Sequence, residues 1–337
     1  MTAAAPRPPA RLNERTVLAY LARRGLADGS RPGESRVRPL SGGVSADVFA
    51  VCTPEGAWVV KQALPQLRVR QQWLATPARA VTEARALQLA AQLLPGRVPP
   101  LELFDPDEYV VVERMAPPEL ADWKATLLAG GGDVATAEAL GVTLATLHRS
   151  TLGDASLNAD FRDTTAFIEL RIVPFHQAAS AALPELAGRL GQLAAELLDR
   201  PLCLVHGDFS PKNILADGGR LWVLDWEVAH IGNPVFDLAF LIAHLVCKAV
   251  HAPGRSAHYQ MCAQAFLDVY RDQVPEALLP ESAGLAAHVA GIVLARTDGM
   301  SPAEYLNPGQ RAEARDLARR VLGRPSTTIS DLWRLLP

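Results

Sequence analysis

The sequence predicts an α+β chain in two lobes, a small antiparallel sheet followed by a larger, mostly helical part. Three observations carry this. Up to residue 116, short apolar runs alternate with Gly, Pro and Asp turns, the mark of strands. From Leu120 onward leucines recur three and four residues apart, the period of buried helix faces. Within the helical part lies LVHGDFSPKNILADGGRLWVLDWEVAHIGNPVFDLAFL, residues 204–241, where an acidic loop, a hairpin turn and a second acidic strand end follow closely. The predicted division is 1–116 for the first lobe and 117–337 for the second.

The length agrees, since 337 residues exceed what one hydrophobic core usually fills. A chain 49% hydrophobic and 20% charged is globular, and a net charge of -3 argues against nucleic acid or an anionic membrane as partner. Cys52, Cys203, Cys247 and Cys262 form no CxxC pair and read as buried thiols of a reducing compartment. The first residues, MTAAAPRPPARLNERT, lack the apolar core of a secretory signal. The most apolar run, Val235–Val250, is broken by Asp237, His244 and Lys248 and falls short of the roughly 20 residues that span a bilayer. A cytoplasmic protein, monomeric or homodimeric, is the expectation. Only four of the 33 basic residues are lysines (Lys61, Lys124, Lys212, Lys248), so each is a marked position.

Taken in order, Asn13–Arg24 carries Val17, Leu18 and Leu21 at helical spacing, with Asn13 as cap and Gly25 at the end. Arg36–Leu40 and Asp47–Cys52 read as strands joined through Ser41-Gly42-Gly43-Val44-Ser45. Glycines there let backbone N–H groups approach phosphate oxygens. Ser41, Gly42 and Gly43 are therefore candidate nucleotide contacts, although a plain hairpin turn explains the segment equally well. Trp58–Lys61 is a third strand ending on a lysine. Alone, such a lysine is best read as an edge residue with a snorkelling stem. Glu83 shifts the balance: it falls on a helix predicted over Pro77–Leu94, and a Lys on the third strand facing a Glu on the next helix positions phosphates in kinases. Val98–Phe104 and Tyr109–Glu113 complete the sheet. Glu113-Arg114-Met115 leads into Pro117-Pro118, and backbone groups at Glu113 and Met115 suit an adenine edge as well as they suit an ordinary strand-to-helix link.

Helices follow at Leu120–Leu128 and at Ala137–Leu147, where His148 reads as an end residue complementing the helix dipole. Residues 151–180 are irregular and interrupted by Pro174. Leu186–Leu198 is helical again, as are Leu238–Val250, Tyr259–Tyr270, Gly284–Arg296 and Gln310–Leu322.

The chemistry concentrates after Leu202–Val205, a short strand. His206-Gly207-Asp208 comes next, then Asn213, the Asp217-Gly218-Gly219 turn, and the strand Leu221–Leu224 delivering Asp225. Phosphoryl transfer needs a group that orients the attacking hydroxyl and metal ions that neutralise the phosphates. Asp208 fits the first role. Asn213 and Asp225 fit as Mg²⁺ ligands, with Glu227 as a further oxygen. Asp237, opening a buried helix, reads as a brace for the loop. Lys212 stands beside Asn213 and suits a solvated loop lysine better than a contact to the transferring group.

HGDFSPKN followed by LDWEVAHIGNPVFDLAF resembles the aminoglycoside phosphotransferase and choline kinase superfamily, which has a bilobal protein-kinase-like fold. The resemblance implies ATP and Mg²⁺ as cofactors, Asp208 as catalytic base, and His206 as a catalytic-loop residue shaping it. It further implies Asn213 and Asp225 as metal ligands, and Lys61 with Glu83 as the phosphate-positioning pair. KQALPQLRVRQQWLATPARAVTEARAL is similar, more narrowly, to methylthioribose kinases, in Lys61, Gln62, Pro65, Trp73 and Glu83. Asp225-Trp226-Glu227 and the final ISDLW also resemble them. Two departures stand out: those kinases carry Ser where this chain has Asn213, and two adjacent arginines where it has Ala295-Arg296.

The acceptor is expected to be a small hydroxylated molecule, with Arg296 and Trp73 as candidate contacts. A structural ion pair is an equal reading for Arg296. Between Phe240 and Met300 five acids face four bases and four histidines, which is not the strongly acidic lining a polycationic aminoglycoside favours. A sugar-like metabolite of methylthioribose type ranks first and an antibiotic second, with hydroxy acids and amino alcohols open. A nucleotide-binding pseudokinase is the reading from another class.

Overall fold

The computed structural model describes residues 11–28, 32–40, 45–68 and 73–336. The glycine segment read as a nucleotide contact, Ser41, Gly42 and Gly43, lies outside the described residues. Helix α1 (Val17–Arg23) precedes a five-stranded antiparallel sheet of β1 (Arg36–Pro39), β2 (Ala46–Thr53), β3 (Gly56–Ala63), β4 (Leu101–Asp105) and β5 (Val110–Arg114), ordered β1-β2-β3-β5-β4. Helix α2 (Arg79–Leu93) crosses between β3 and β4.

The two-residue period of β3 sorts its side chains. Trp58, Val60 and Gln62 are buried while Val59 and Lys61 are less so. Trp58 and Val60 pack with Val17, Tyr20, Leu21, Phe49 and Val112 in a small core under α1. Lys61 therefore points to the other face, towards α2. There Ala80, Glu83, Ala84 and Leu87 form the buried stripe of α2, and its apolar members join the main core.

The remainder is mostly helical. A two-residue strand β6 (Ala121–Asp122) leads into α3 (Trp123–Leu128) and α4 (Val134–Ser150), followed by α5 (Asn158–Phe161) and α6 (Thr165–Phe167). The irregular region contains a π-helical segment, Ile168–Gln177, with Pro174 inside it. Proline supplies no N–H and clashes with the preceding turn, so a wider turn accommodates it. Then come α7 (Ala178–Ala182) and α8 (Ala187–Asp199), and the short strands β7 (Cys203–Val205), β8 (Ile214–Asp217), β9 (Arg220–Val223) and β10 (His230–Gly232). Strand β10 pairs with β7, and β8 with β9 and β6. The chain closes with α9 (Val235–His251), α10 (Ser256–Gln273), α11 (Ser282–Asp298), α12 (Pro308–Leu322) and α13 (Ile329–Arg334).

Every residue of α9 from Val235 to Val250 is buried, including Asp237, His244 and Lys248. A helix apolar on all sides belongs at the centre of a core, and α9 packs against both α10 and α11. One stretch, 276–298, has the length and hydropathy to cross a bilayer, but 61% of its most apolar window is buried within the protein.

Candidate active site

Three groups of side chains meet where the sheet faces the helical part. The first surrounds Lys61. Its Nζ lies 2.7 Å from Glu83 Oε1 and 2.8 Å from Glu113 Oε1. Burial works against the ammonium, but Glu113, Glu83 and the nearby Asp225 outweigh it and hold Lys61 firmly protonated. Burial, with Glu113, Asp225 and Glu227 adding to it, raises Glu83 to about 8 despite the pull of Lys61. Negative charge is thus in excess around one lysine.

The second group is the catalytic loop. Gly207 has φ +75, and a Cβ there would lie 2.6 Å from the Val228 carbonyl, so only glycine fits. Its neighbour Asp208 is buried, and one of its oxygens takes three donors. Arg171 Nη2 and Lys212 Nζ each lie 2.9 Å from Oδ2, and Asn213 Nδ2 lies 2.8 Å from it. Burial alone would raise the pKa of Asp208; Arg171 and then Lys212 reverse this and hold it below the usual carboxylate value. Oδ1 has no hydrogen-bond partner among the described residues. Asn213 also donates to the Asp208 carbonyl at 3.0 Å, which turns its own carbonyl oxygen away from Asp208.

The third group is the frame of the loop. Asp237 accepts from His206 N at 2.7 Å and Gly207 N at 2.9 Å, the bracing expected of it. His148 is more than a helix-end residue. It is fully buried, with Nδ1 2.9 Å from Tyr270 Oη and Nε2 3.3 Å from Asp237 Oδ2. His206 accepts at Nδ1 from Asp208 N, 3.1 Å, and donates from Nε2 to the Leu224 carbonyl, 3.0 Å. Burial lowers its pKa, more than the neighbouring carboxylates raise it, so the ring is neutral. It thereby ties the loop to the strand that ends on Asp225. Fully buried with both nitrogens spent, His206 positions the loop and does not itself reach a reacting group.

Among the described residues only Tyr109 and Asp225 combine a side chain with positive φ, 50° and 67°. Aspartate tolerates that conformation better than most residues, and such strain concentrates at functional sites. A hard cation fits this corner: Asp225 and Asn213 offer carboxylate and amide oxygens, and Glu83 feels the uncompensated negative charge. No three His, Cys, Asp or Glu converge as a ready-made metal site among the described residues. That suits an ion that keeps waters and shares phosphate oxygens.

Residues 36–280 match the phosphotransferase enzyme family, APH. The chain belongs to that family. It is 25% identical over 276 residues to methylthioribose kinase 2 of Oryza sativa subsp. japonica, covering 73% of this chain and 65% of that protein. Identity to methylthioribose kinase 1 of the same plant is 27% over 237 residues, covering 62% and 55%. The chain therefore spans less than two thirds of the length of these relatives. Amicoumacin kinase, solved with AMP-PNP, Ca²⁺ and Ami, overlays with a TM-score of 0.59 at 15% identity, covering 96% of this chain and 97% of that one. A choline/ethanolamine kinase family protein from Mesorhizobium loti overlays at 0.54 with 19% identity, covering 95% and 99%. At these identities the overlays establish the fold, and it is the kinase-like α+β fold that the sequence predicts.

Within this phosphotransferase-family fold several expectations need correction. Glu113 lies inside β5 with its carboxylate on Lys61, and Met115 N donates to the Ala57 carbonyl at 3.0 Å. That donor is spent inside the sheet, so of the Met115 backbone only the carbonyl remains for an adenine edge. Glu227 is held by Arg79, Nε to Oε2 2.7 Å, which leaves at most its other oxygen for a metal. Trp73 is buried and donates to the Glu169 carbonyl at 2.9 Å, so it anchors the loop and is not an acceptor contact. Lys212 is not a free surface lysine, because it sits on Asp208. Arg296 has no carboxylate partner among the described residues, and its Nη1 donates to Ser301 Oγ at 2.7 Å.

Two residues went unnoticed in the sequence. Arg171 neutralises Asp208, and its Nε donates to the Gly207 carbonyl at 2.8 Å. Arg79 is fully buried, gathering the carbonyls of Leu64 at 2.8 Å and Thr76 at 2.7 Å besides Glu227. Each had a signal: Arg171 interrupts the apolar run Leu170–Val173, and Arg79 stands one helical turn before Glu83 on the same face.

Proposed function

We propose that this chain is an ATP- and Mg²⁺-dependent kinase that transfers the γ-phosphoryl group to a hydroxyl of a small molecule. Residues 1–116 form the nucleotide lobe in this reading, and 117–337 carry the catalytic loop and acceptor site. One observation carries it: three donors fix Asp208 through a single oxygen and leave the other open. An acceptor hydroxyl donating to Oδ1 is aimed by a carboxylate that cannot swing. Because Arg171 and Lys212 keep Asp208 ionised, it is a weak base towards a neutral alcohol. Its work is aim first and proton acceptance late, as the new P–O bond forms. That order suits a loose transition state in which positioning and electrostatics carry most of the catalysis.

Lys61, steadied by Glu83 and Glu113, contacts the nucleotide phosphates in this scheme. Asn213 and Asp225 hold the metal, with Glu227 restricted by Arg79. When bound, Mg²⁺ supplies neutralisation of the phosphate charge. Cys52, Cys203, Cys247 and Cys262 are free thiols.

For the acceptor, a sugar-like metabolite is supported by the methylthioribose kinases among the relatives, at 25% and 27% identity. An aminoglycoside fits less well, because residues 240–300 do not carry the strongly acidic lining a polycation favours. A pseudokinase is disfavoured, because Lys61, Asp208, Asn213 and Asp225 all retain the residue types the chemistry needs. The test is acceptor-stimulated ADP release, measured for the wild type and Asp208→Asn. The substitution is expected to lower kcat by at least about 10²-fold with ATP affinity retained. Turnover close to wild type would remove Asp208 from the mechanism.

A further inference from the structure

Helix α2 carries two oppositely charged residues one turn apart on its buried face, Arg79 and Glu83. Each reaches a partner in a different part of the reactive centre. Glu83 holds Lys61 at 2.7 Å. Arg79 holds Glu227, two residues beyond Asp225, also at 2.7 Å. The guanidinium has five N–H groups, and all of them are spent. Nε donates to Glu227 Oε2. Nη1 donates to the carbonyls of Ala75 at 3.2 Å and Thr76 at 2.7 Å. Nη2 donates to the Leu64 carbonyl at 2.8 Å and to the Ser45 carbonyl. The four carbonyls come from the segment before β2, the end of β3 and the entry to α2. Glu227 alone comes from the helical part.

Asp225 depends on such a tether. Among the described residues no donor meets its carboxylate, and its backbone sits at φ 67°. What aims it is therefore what fixes its neighbours. On the upstream side, Leu224 N donates to the Asn213 carbonyl at 2.8 Å, and the Leu224 carbonyl takes His206 Nε2 at 3.0 Å. On the downstream side, Trp226 Nε1 donates to the Val223 carbonyl at 3.0 Å, and Arg79 fixes Glu227. The same hub reaches towards Asp208. Thr76, whose carbonyl Arg79 takes, donates from its N to Glu169 Oε2 at 2.9 Å, and Glu169 lies two residues before Arg171.

We infer that Arg79 is a positioning residue for phosphoryl transfer, which fixes Asp225-Trp226-Glu227 against Lys61 and so sets the metal-binding corner through Glu227. This rests on the kinase reading above and deepens it by naming the residue that orients the metal ligands. The Arg79 side chain has no exposed surface, so it acts only through Glu227 and the backbone it gathers. Lysine cannot stand in for it, because an ammonium has three donors and no planar fork to serve four carbonyls and a carboxylate. Residues that hold metal ligands from behind govern metal affinity by about 10- to 100-fold. A bond that only stabilised the fold would leave that affinity where it is.

The test reads metal binding apart from turnover. Calorimetry follows ADP binding over a series of Mg²⁺ concentrations, with no acceptor present, for the wild type, Arg79→Lys and Arg79→Met. In both variants the Mg²⁺ concentration that half-saturates ADP binding should rise about 10-fold or more. Folded variants with the wild-type Mg²⁺ dependence would overturn the inference and leave the kinase reading standing. A wild type that binds ADP at no Mg²⁺ concentration would sink the kinase reading, and this inference with it. Circular dichroism shows whether the variants fold. If neither does, two substitutions at Glu227 decide. Glu227→Gln keeps an oxygen for Arg79 Nε, whereas Glu227→Ala removes the anchor. The Gln variant should stay within about 3-fold of the wild-type Mg²⁺ dependence and the Ala variant should shift by about 10-fold or more. Equal shifts in the two, or none in either, would overturn the positioning role.

Discussion

Replacing Arg171 with Met removes the charge beside Asp208 together with the Nε bond to the Gly207 carbonyl. The guanidinium sits over the rings of Phe175 and Phe240, 5.7 and 5.5 Å to their centroids, with Nη2 2.9 Å from Asp208 Oδ2. Methionine keeps most of the packing and deletes the charge. Two unit charges at that distance attract by about 6 kcal/mol at an effective dielectric constant near 20. That gross figure is not the loss expected. Lys212 lies at the same 2.9 Å on the same oxygen and Asn213 at 2.8 Å, so the carboxylate keeps a counterion and a donor. The cost should stay below the ~3–5 kcal/mol of orphaning a buried charge. We expect kcat to fall about 10- to 100-fold, or about 1.4–2.8 kcal/mol of barrier, with KM for ATP unchanged. The sign of the pH effect follows from the same geometry. Arg171 is the strongest influence lowering the pKa of Asp208, so its removal raises that pKa. The acidic limb of the kcat/KM profile then moves to higher pH, which a merely structural role for Arg171 would not produce. Steady-state kinetics across pH decide the matter. A variant with wild-type kcat and an unmoved acidic limb would refute the positioning role.

Two further predictions rest on other residues. Asp237→Asn replaces one of the two oxygens that receive His206 N and Gly207 N, leaving a buried N–H unmet, and should cost about 1–3 kcal/mol. Calorimetry should show a lower Tm together with a lower kcat, and a variant melting with the wild type would contradict the bracing role. Burial, chiefly, lowers Lys248 to about 7 from 10.5. Its contribution to stability is therefore fully present above 10.5 and is lost as pH falls through 7, because the unfolded chain binds the proton more tightly. Lys248→Met should melt higher than the wild type at neutral pH and flatten this dependence. Chemical denaturation at several pH values reads it out, and an unstabilised variant with the slope intact would argue against an uncompensated charge.

The sheet was legible because its strands alternate cleanly, and the period of β3 alone sends Lys61 to the face of Glu83. The loop was legible because its donors and acids are close in sequence: Asp208, Asn213 and Asp225 are joined by two short strands and a glycine turn. What stayed hidden depends on long-range packing. Arg171 reaches Asp208 from a π-helical turn that no 3.6-residue pattern announces. Glu113 reads as a hinge residue until the pairing of β5 with β3 turns its carboxylate onto Lys61. Trp73 lies in a loop whose direction only its bond to Glu169 reveals. The strands β6 and β10 are two and three residues long, too short to show any alternation. Lys248 reads as an interruption of an apolar run, and only the helices packed around it show that no carboxylate among the described residues meets it.

The central claim is phosphoryl transfer to an acceptor hydroxyl aimed by Asp208. Its most direct test follows label from γ-³²P-ATP into the acceptor, for wild type and Asp208→Asn at saturating ATP and Mg²⁺. The wild type should yield a labelled phosphate ester, and the variant should lose at least about 10²-fold of that rate while binding ATP as before. Equal labelling by the two proteins, or label released only as inorganic phosphate whichever acceptor is offered, would contradict the account.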